Sequence, residues 1–227
     1  MNSTPRSYRW LFLLAAPTAL AILLLMARIV YTKDFTFLFL VWNLFLAFIP
    51  LGLALIIKRI NARVHRMLFY PLLGIWLLFL PNAPYILTDL LHLHYDHDMP
   101  VWFDMTMILT FAWSGLVAGF YSLLWVQDCI EVRFRGRVWV GRLFAVLTVF
   151  ASAYGIYLGR FLRWNSWDII EAPGMLVEEI IHSLTHSSEL LHTYGFTLSF
   201  GFLLLFMYLM ANGLKMNSDR KAVRESA

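Results

Sequence analysis

The chain has 227 residues, of which 60% are hydrophobic, 17% aromatic and 14% charged, with a formal net charge of +4. A water-soluble domain of this size needs a largely polar surface, so the composition excludes one and makes the bilayer the natural solvent. A single cysteine, Cys129, excludes an intramolecular disulfide and any multi-cysteine metal site.

Six apolar segments follow one another at about 10–27, 35–57, 67–80, 105–126, 138–158 and 194–214. Most reach or approach the roughly 20 residues that cross a hydrocarbon core of about 30 Å as a helix. The third is short. It crosses only if the chain continues through Pro81 and Pro84 to about Leu91, and because unsatisfied amides are not tolerated facing lipid, that broken part must face protein or a wet cavity. The first segment follows Arg6 and Arg9 and contains Ala19-Leu20-Ala21, which resembles a cleavage box. The apolar run continues past that box without a polar region, as a retained anchor does. The expected fold class is therefore all-α: a polytopic membrane helix bundle of about six transmembrane helices plus one interfacial amphipathic helix. It forms a single transmembrane domain over 1–214 with a short tail over 215–227.

Lysine and arginine give the orientation. The N-terminus, the second loop (Lys58, Arg59, Arg63, Arg66), the fourth loop (Arg133, Arg135, Arg137, Arg142) and the tail (Lys215, Arg220, Lys221, Arg224) hold the excess. Only Arg28, Lys33, Arg160 and Arg163 lie on the other face, so both termini are expected to be cytoplasmic. Topology and anionic headgroups account for the basic clusters, and nucleic acid is not an expected partner. The same division sends most acids, and every histidine except His65, to the outer side. The positive-inside rule does not predict that enrichment.

Small residues mark close helix contacts. Gly115 and Gly119 share a face of the fourth segment, and Ala151, Gly155 and Gly159 repeat at four-residue spacing in the fifth; contacts within the bundle are expected rather than dimerisation. The fifth segment ends in Gly159-Arg160-Phe161-Leu162-Arg163-Trp164-Asn165-Ser166-Trp167-Asp168. Arg160 and Arg163, three apart, are expected on one side of a helix end, where they can hold a phosphate, a carboxylate, or Asp89 and Asp104. The bland alternative is interfacial snorkelling beside Trp164 and Trp167. Beyond them, residues 174–192 wrap as an amphipathic helix, with Leu176, Val177, Ile180, Leu184 and Leu191 opposite Glu178, His182, His186 and Glu189. This reads as a helix lying in the interface plane. Glu178, His182 and His186 have a spacing that can present imidazoles to one metal, although such a stripe is more often simply solvated.

The densest polar chemistry lies at Pro81-Asn82-Ala83-Pro84-Tyr85-Ile86-Leu87-Thr88-Asp89-Leu90-Leu91-His92-Leu93-His94, continuing to Asp96, His97 and Asp98. Proline suits the first turn of a helix, and a helix resumed after Pro84 puts Tyr85, Asp89 and His92 on one face. Asp89 and His92 can then bind a metal or act as a proton-transfer couple, the carboxylate orienting the imidazole. An oxygen and nitrogen donor set without thiolate suits a divalent metal such as zinc or manganese. The bland alternative is capping and pairing at a helix end. The sequence contains no H-E-x-x-H, G-x-S-x-G, Walker or G-x-G-x-x-G motif.

The runs from Pro81 to Leu93, Trp102-Phe103-Asp104 and Gly159 to Asp168 resemble those of a bacterial family of multi-pass membrane proteins catalogued as a domain of unknown function, over about residues 8–214. The resemblance implies a protein of the bacterial cytoplasmic membrane and no particular activity. Three readings follow. In the first, a membrane enzyme at the outer leaflet is a metal-assisted hydrolase or transferase of a lipid or cell-envelope precursor. Its catalytic candidates are Asp89, His92, Asp104, Arg160, Arg163 and Asp168. Its metal candidates are Asp89, His92, His94, His182 and His186. Its substrate-binding candidates are Asn82, Tyr85, Arg160, Arg163, Trp164 and Asn165, acting on membrane lipid or an anionic headgroup. The second is an ion- or proton-coupled transporter or channel opened at the Pro81–Pro84 break. The third is a non-catalytic assembly or sensor subunit with titrating histidines. Convergence of acids, histidines and paired arginines on one face favours the enzyme.

Overall fold

A computed structural model describes residues 9–61, 66–93, 99–185 and 187–226. Among them there is no strand, and six helical segments are long and apolar enough to cross a membrane. They are Trp10–Thr32, Thr36–Ile60, Met67–His92, Val101–Arg133, Val138–Phe161 and Leu190–Lys215. The protein is an all-α, multi-pass membrane protein. In chain order the helices are α1 (Arg9–Thr32), α2 (Phe39–Asn61), α3 (Arg66–Phe79), α4 (Asn82–Tyr85), α5 (Val101–Arg133), α6 (Val138–Phe161), α7 (Asp168–Glu171), α8 (Pro173–Thr185) and α9 (Ser187–Ser226). Short 3₁₀ helices cover Thr36–Leu38 and Ile86–His92.

The third crossing is the composite that the proline spacing required: α3, a turn, α4 and the 3₁₀ run add up to the 26 residues of Met67–His92. Pro81 and Pro84 have no N–H, so nearby carbonyls need other donors. The Ser166 hydroxyl donates to Leu78 O (3.0 Å), the Asn82 side-chain amide to Phe79 O (2.9 Å), Ala83 N–H to Leu80 O (3.1 Å) and Tyr85 N–H to Pro81 O (3.0 Å). The break is also shielded. Ala83, Pro84, Ile86, Thr88 and Asp89 are buried, as irregular backbone at membrane depth has to be.

The chain divides into two compact units, Met1–Ile56 with Phe79–Ser122, and Ile57–Leu78 with Leu123–Ala227. In the first, a core of Leu25, Phe37, Leu40, Leu44, Ile86, Met107, Ile108 and Phe111 closes around the helix break. Gly115 and Gly119 supply the groove that receives it: a Cβ on Gly115 would stand 2.6 Å from the Ala83 carbonyl oxygen, and one on Gly119 2.7 Å from the Ala83 Cβ. The paired glycines thus make an intramolecular contact, as the sequence led us to expect.

In the second unit, Trp76 stacks on Phe144 with centroids 6.0 Å apart, and α6 packs along α9. Close approach there uses Gly201, whose Cβ would lie 2.5 Å from Phe150 Cδ1. On α6 Ala151 is exposed, and Ala145, Val149, Ser152, Ala153 and Ile156 form the buried side. At the opposite helix ends the Tyr208 hydroxyl donates to Gln127 Oε1 (2.8 Å) and Gln127 donates to Glu131 Oε1 (2.8 Å). The Glu131 side chain occupies the space that a Cβ on Gly141 would take, so this buried polar chain is satisfied within the protein.

The expected amphipathic helix over 174–192 is two elements. α8 ends at Thr185 and α9 begins at Ser187, so Leu191 belongs to the last crossing and not to the α8 stripe. α8 buries Leu176 and Ser183, the latter sharing a 2.9 Å hydrogen bond with the Tyr154 hydroxyl. At 13 residues, or about 20 Å, it is too short to cross.

Candidate functional site

The unwound end of the third crossing sets the geometry. A seven-residue 3₁₀ run, Ile86–His92, is longer than the three or four residues usual for that helix, and its three-residue turn eclipses residues i and i+3. Ile86, Asp89 and His92 therefore form one row. Tyr85 leaves it, because four residues span more than a full 3₁₀ turn; the face expected from α-helical spacing holds for Asp89 and His92 only. The row passes from core to surface: Ile86 is 0% and Asp89 1% exposed, whereas the His92 side chain is 47% exposed.

Asp89 is a buried carboxylate held from two sides. Asn43 of α2 donates from Nδ2 to Asp89 Oδ2 at 2.9 Å, and His92 Nδ1 stands 3.9 Å from Oδ1. That separation suits charge interaction and is longer than a hydrogen bond. Phe39 braces the imidazole, ring centroid to ring centroid 5.3 Å. Asn43 and Phe39 were not among the candidates drawn from the sequence. The available signal was a lone amide in the middle of an apolar segment, which in a membrane helix marks an internal polar partner.

Asp104 belongs to a different cluster. It is 1% exposed, and Arg28, also 1% exposed, grips it with Nε to Oδ1 at 2.9 Å and Nη2 to Oδ2 at 3.4 Å. Arg28 Nη1 reaches Asp34 Oδ2 at 3.0 Å, and its guanidinium lies 4.4 Å over the Phe37 ring. Arg28 is thus a partner of Asp104 that the sequence did not suggest. With its charge neutralised, Arg28 does not end the first helix, which runs on through Thr32. Asp34 lies between two crossings, where the Thr36 hydroxyl (2.6 Å) and Thr36 N–H (2.9 Å), then Arg28, hold its carboxyl down to about 2 from the usual 3.8. A depressed carboxyl adds stability that is complete above 3.8 and lost as pH falls through about 2. The carboxyl carbon resonance of Asp34 should titrate near 2, and Thr36→Val should move that midpoint upward.

In the second unit the motif after α6 folds on itself. α6 ends at Phe161, and Arg163 takes φ +60°, a left-handed conformation that breaks the helical repeat. Arg160 and Arg163 are therefore not neighbours on one helical face. Asp168 accepts from Asn165 N–H (2.6 Å) and from the Asn165 side-chain amide (3.3 Å), closing the turn before α7. Trp164 N–H donates to Leu158 O at 3.1 Å, while Ser166 ties the turn to α3. Arg163 and Asn165 are exposed; Arg160, Trp164 and Asp168 are half-buried.

Among the described residues, no three His, Cys, Asp or Glu side chains converge as a metal set. His182 is half-buried on α8. His94, Asp96, His97, Asp98 and His186 lie outside the described residues.

A sequence model of the family described as "Protein of unknown function (DUF1361)" matches residues 42–207. That stretch contains Asn43, the helix break, Asp89, His92, Asp104 and the Gly159–Asp168 motif. No curated protein and no solved structure matches the chain.

Proposed function

Since the chain belongs to this family, DUF1361, whose function is unknown, we propose a function from the geometry: a membrane enzyme whose Asp89 and His92 form a proton-transfer couple. It acts as a hydrolase or transferase on a lipid or cell-envelope precursor at the outer face of the bacterial cytoplasmic membrane, with both termini in the cytoplasm. The observation that carries this reading is a carboxylate only 1% exposed, positioned by Asn43 on one oxygen and facing a half-exposed imidazole with the other.

In that role Asp89 holds the His92 Nδ1 proton and stabilises the imidazolium as it forms, leaving Nε2 to take a proton from water or a substrate hydroxyl. A 3.9 Å gap is suited to tightening when substrate excludes water, since catalytic hydrogen bonds are often long without it. A divalent ion such as zinc or manganese would need donors beyond Asp89 and His92. Elemental analysis of wild type and Asp89→Ala separates that version from metal-free acid–base chemistry. Arg160 and Arg163, on the same outer face by charge distribution, are proposed to meet anionic headgroups.

Asp89→Asn preserves volume and hydrogen bonding to neighbours while removing the charge. In cells lacking the chromosomal gene, it should restore protein level but not the wild-type lipid and envelope-precursor profile, with a loss of about 100-fold or more in turnover typical of acid–base groups. A normal profile from Asp89→Asn defeats the proposal. A buried carboxylate beside a broken helix also supports the second reading, proton- or cation-coupled transport. Proteoliposomes carrying a pH-sensitive dye distinguish the two: proton flux that depends on Asp89 without any altered lipid favours transport. For the orientation, single cysteines at Lys33 and Lys58 in a Cys129→Ser background should react oppositely with an impermeant maleimide on intact cells, Lys33 labelled and Lys58 protected.

A further inference from the structure

In the second unit, the end of α6 and the start of α9 enclose a cleft of about 260 Å³, lined by Tyr157, Phe161, Leu191, His192, Gly195 and Phe196. Its walls are preformed. Phe161 meets Phe196 edge-on at 5.1 Å, Tyr157 lies 5.4 Å from Phe161 and 6.2 Å from Phe196, and Phe196 stacks on Phe200 at 5.2 Å. Rings locked against one another in this way lose little freedom when a ligand arrives. The opening is made by Gly195: a Cβ there would meet nothing within 4 Å.

What fills the cleft follows from where it is. Both walls are membrane-crossing segments, Val138–Phe161 and Leu190–Lys215, and the α9 surface beside it is bare and apolar at Tyr194, Leu198 and Phe202. The cleft is therefore continuous with the lipid-facing surface. Its volume falls just under the roughly 300–1,000 Å³ that encloses a whole small ligand, enough for a stretch of hydrocarbon chain and too small for a headgroup as well. The polar groups on its lining are the Tyr157 hydroxyl and the imidazole of His192, an exposed residue at the chain end of the crossing.

We propose that this cleft holds the hydrocarbon chain of one phosphate-bearing membrane lipid, with His192 donating a hydrogen bond to its phosphate. The chain enters along the bare α9 surface and packs between Phe161 and Phe196 over Gly195. The lipid is either a glycerophospholipid or a prenyl phosphate; both supply the same chain and phosphate. The site stands independently of any chemistry at Asp89.

The test uses the full chain reconstituted in nanodiscs of phosphatidylcholine, phosphatidylglycerol, undecaprenyl phosphate and phosphate-free diacylglycerol, followed by native mass spectrometry. Wild type should retain one phosphate-bearing lipid, and fragmentation of that lipid tells the two sources apart. Gly195→Leu sets an isobutyl group at the opening of the cleft, on a Cβ that meets nothing within 4 Å, and favours the helix, so it should fold and lose the bound lipid. Gly213→Leu, at another open position of α9, controls for the change of residue and should retain it. His192→Ala should keep a lipid but lose the preference for phosphate-bearing lipids over diacylglycerol. Equal retention by Gly195→Leu and wild type, or a wild type that emerges without lipid, overturns the proposal. Unaltered selectivity in His192→Ala overturns the headgroup contact.

Discussion

Arg28→Ala should destabilise the protein by about 3–5 kcal/mol, because it leaves the Asp104 carboxylate buried and uncompensated. Both side chains are 1% exposed, and Arg28 Nε donates to Asp104 Oδ1 at 2.9 Å. Asp104→Ala should cost a similar amount for the converse reason. The double variant Arg28→Met/Asp104→Leu removes both charges and fills the space, so it should recover most of the loss, as a buried pair is expensive to break and cheap to replace. Unfolding titrations of the four proteins in one detergent compare the cost of breaking the pair with the cost of replacing it. An Arg28→Ala protein as stable as wild type would mean that water reaches the pair. The two singles together with the double then distinguish an ion pair that holds α1 onto α5 from two independently solvated groups.

Gly115→Ala should destabilise by about 1–3 kcal/mol, the range for overpacking a filled core. Its new methyl would sit 2.6 Å from a backbone carbonyl oxygen, that of Ala83, and backbone cannot swing aside as a side chain does. Gly119→Ala should behave alike, its methyl 2.7 Å from the Ala83 Cβ. Gly52→Ala, a helical position where a Cβ meets nothing within 4 Å, provides the contrast and should stabilise by up to about 1 kcal/mol. Thermal unfolding of the three variants checks the order. Since Ala83 sits just ahead of the Ile86–His92 run, the same substitutions should disturb Asp89 and His92 through the backbone, and a Gly115→Ala protein that keeps its melting temperature would sink the cradle account.

The positions of the crossings were legible because hydrocarbon imposes length and composition locally, residue by residue. Even the short third segment announced its continuation, since 14 apolar residues before Pro81 cannot span the core. The prolines did not reveal how the backbone past them would be wound. α-helical spacing put Tyr85 with Asp89 and His92, but the tighter 3₁₀ turn keeps only the i, i+3 pair. At the end of α6 the same reliance on helical spacing misplaced Arg163, because a chain leaving a helix is free to take φ +60° where its surroundings favour it.

Arg28 shows the other kind of limit. As a charge beside an apolar run it marked the apparent end of the first segment, and its counterion 76 residues away could not be read from the chain. Asn43 was overlooked for the same reason: its meaning lies in the 2.9 Å contact with Asp89, 46 residues distant. The sequence alone determined that this is an all-α, multi-pass membrane protein with a helix broken at Pro81 and Pro84, because solvent preference and proline chemistry act locally. Only tertiary structure decided that Arg28 meets Asp104 and that Asn43 and His92 face Asp89. Pairing inside a low-dielectric core depends on which distant side chains packing brings within about 3–4 Å, where a charge is either matched or too costly to bury.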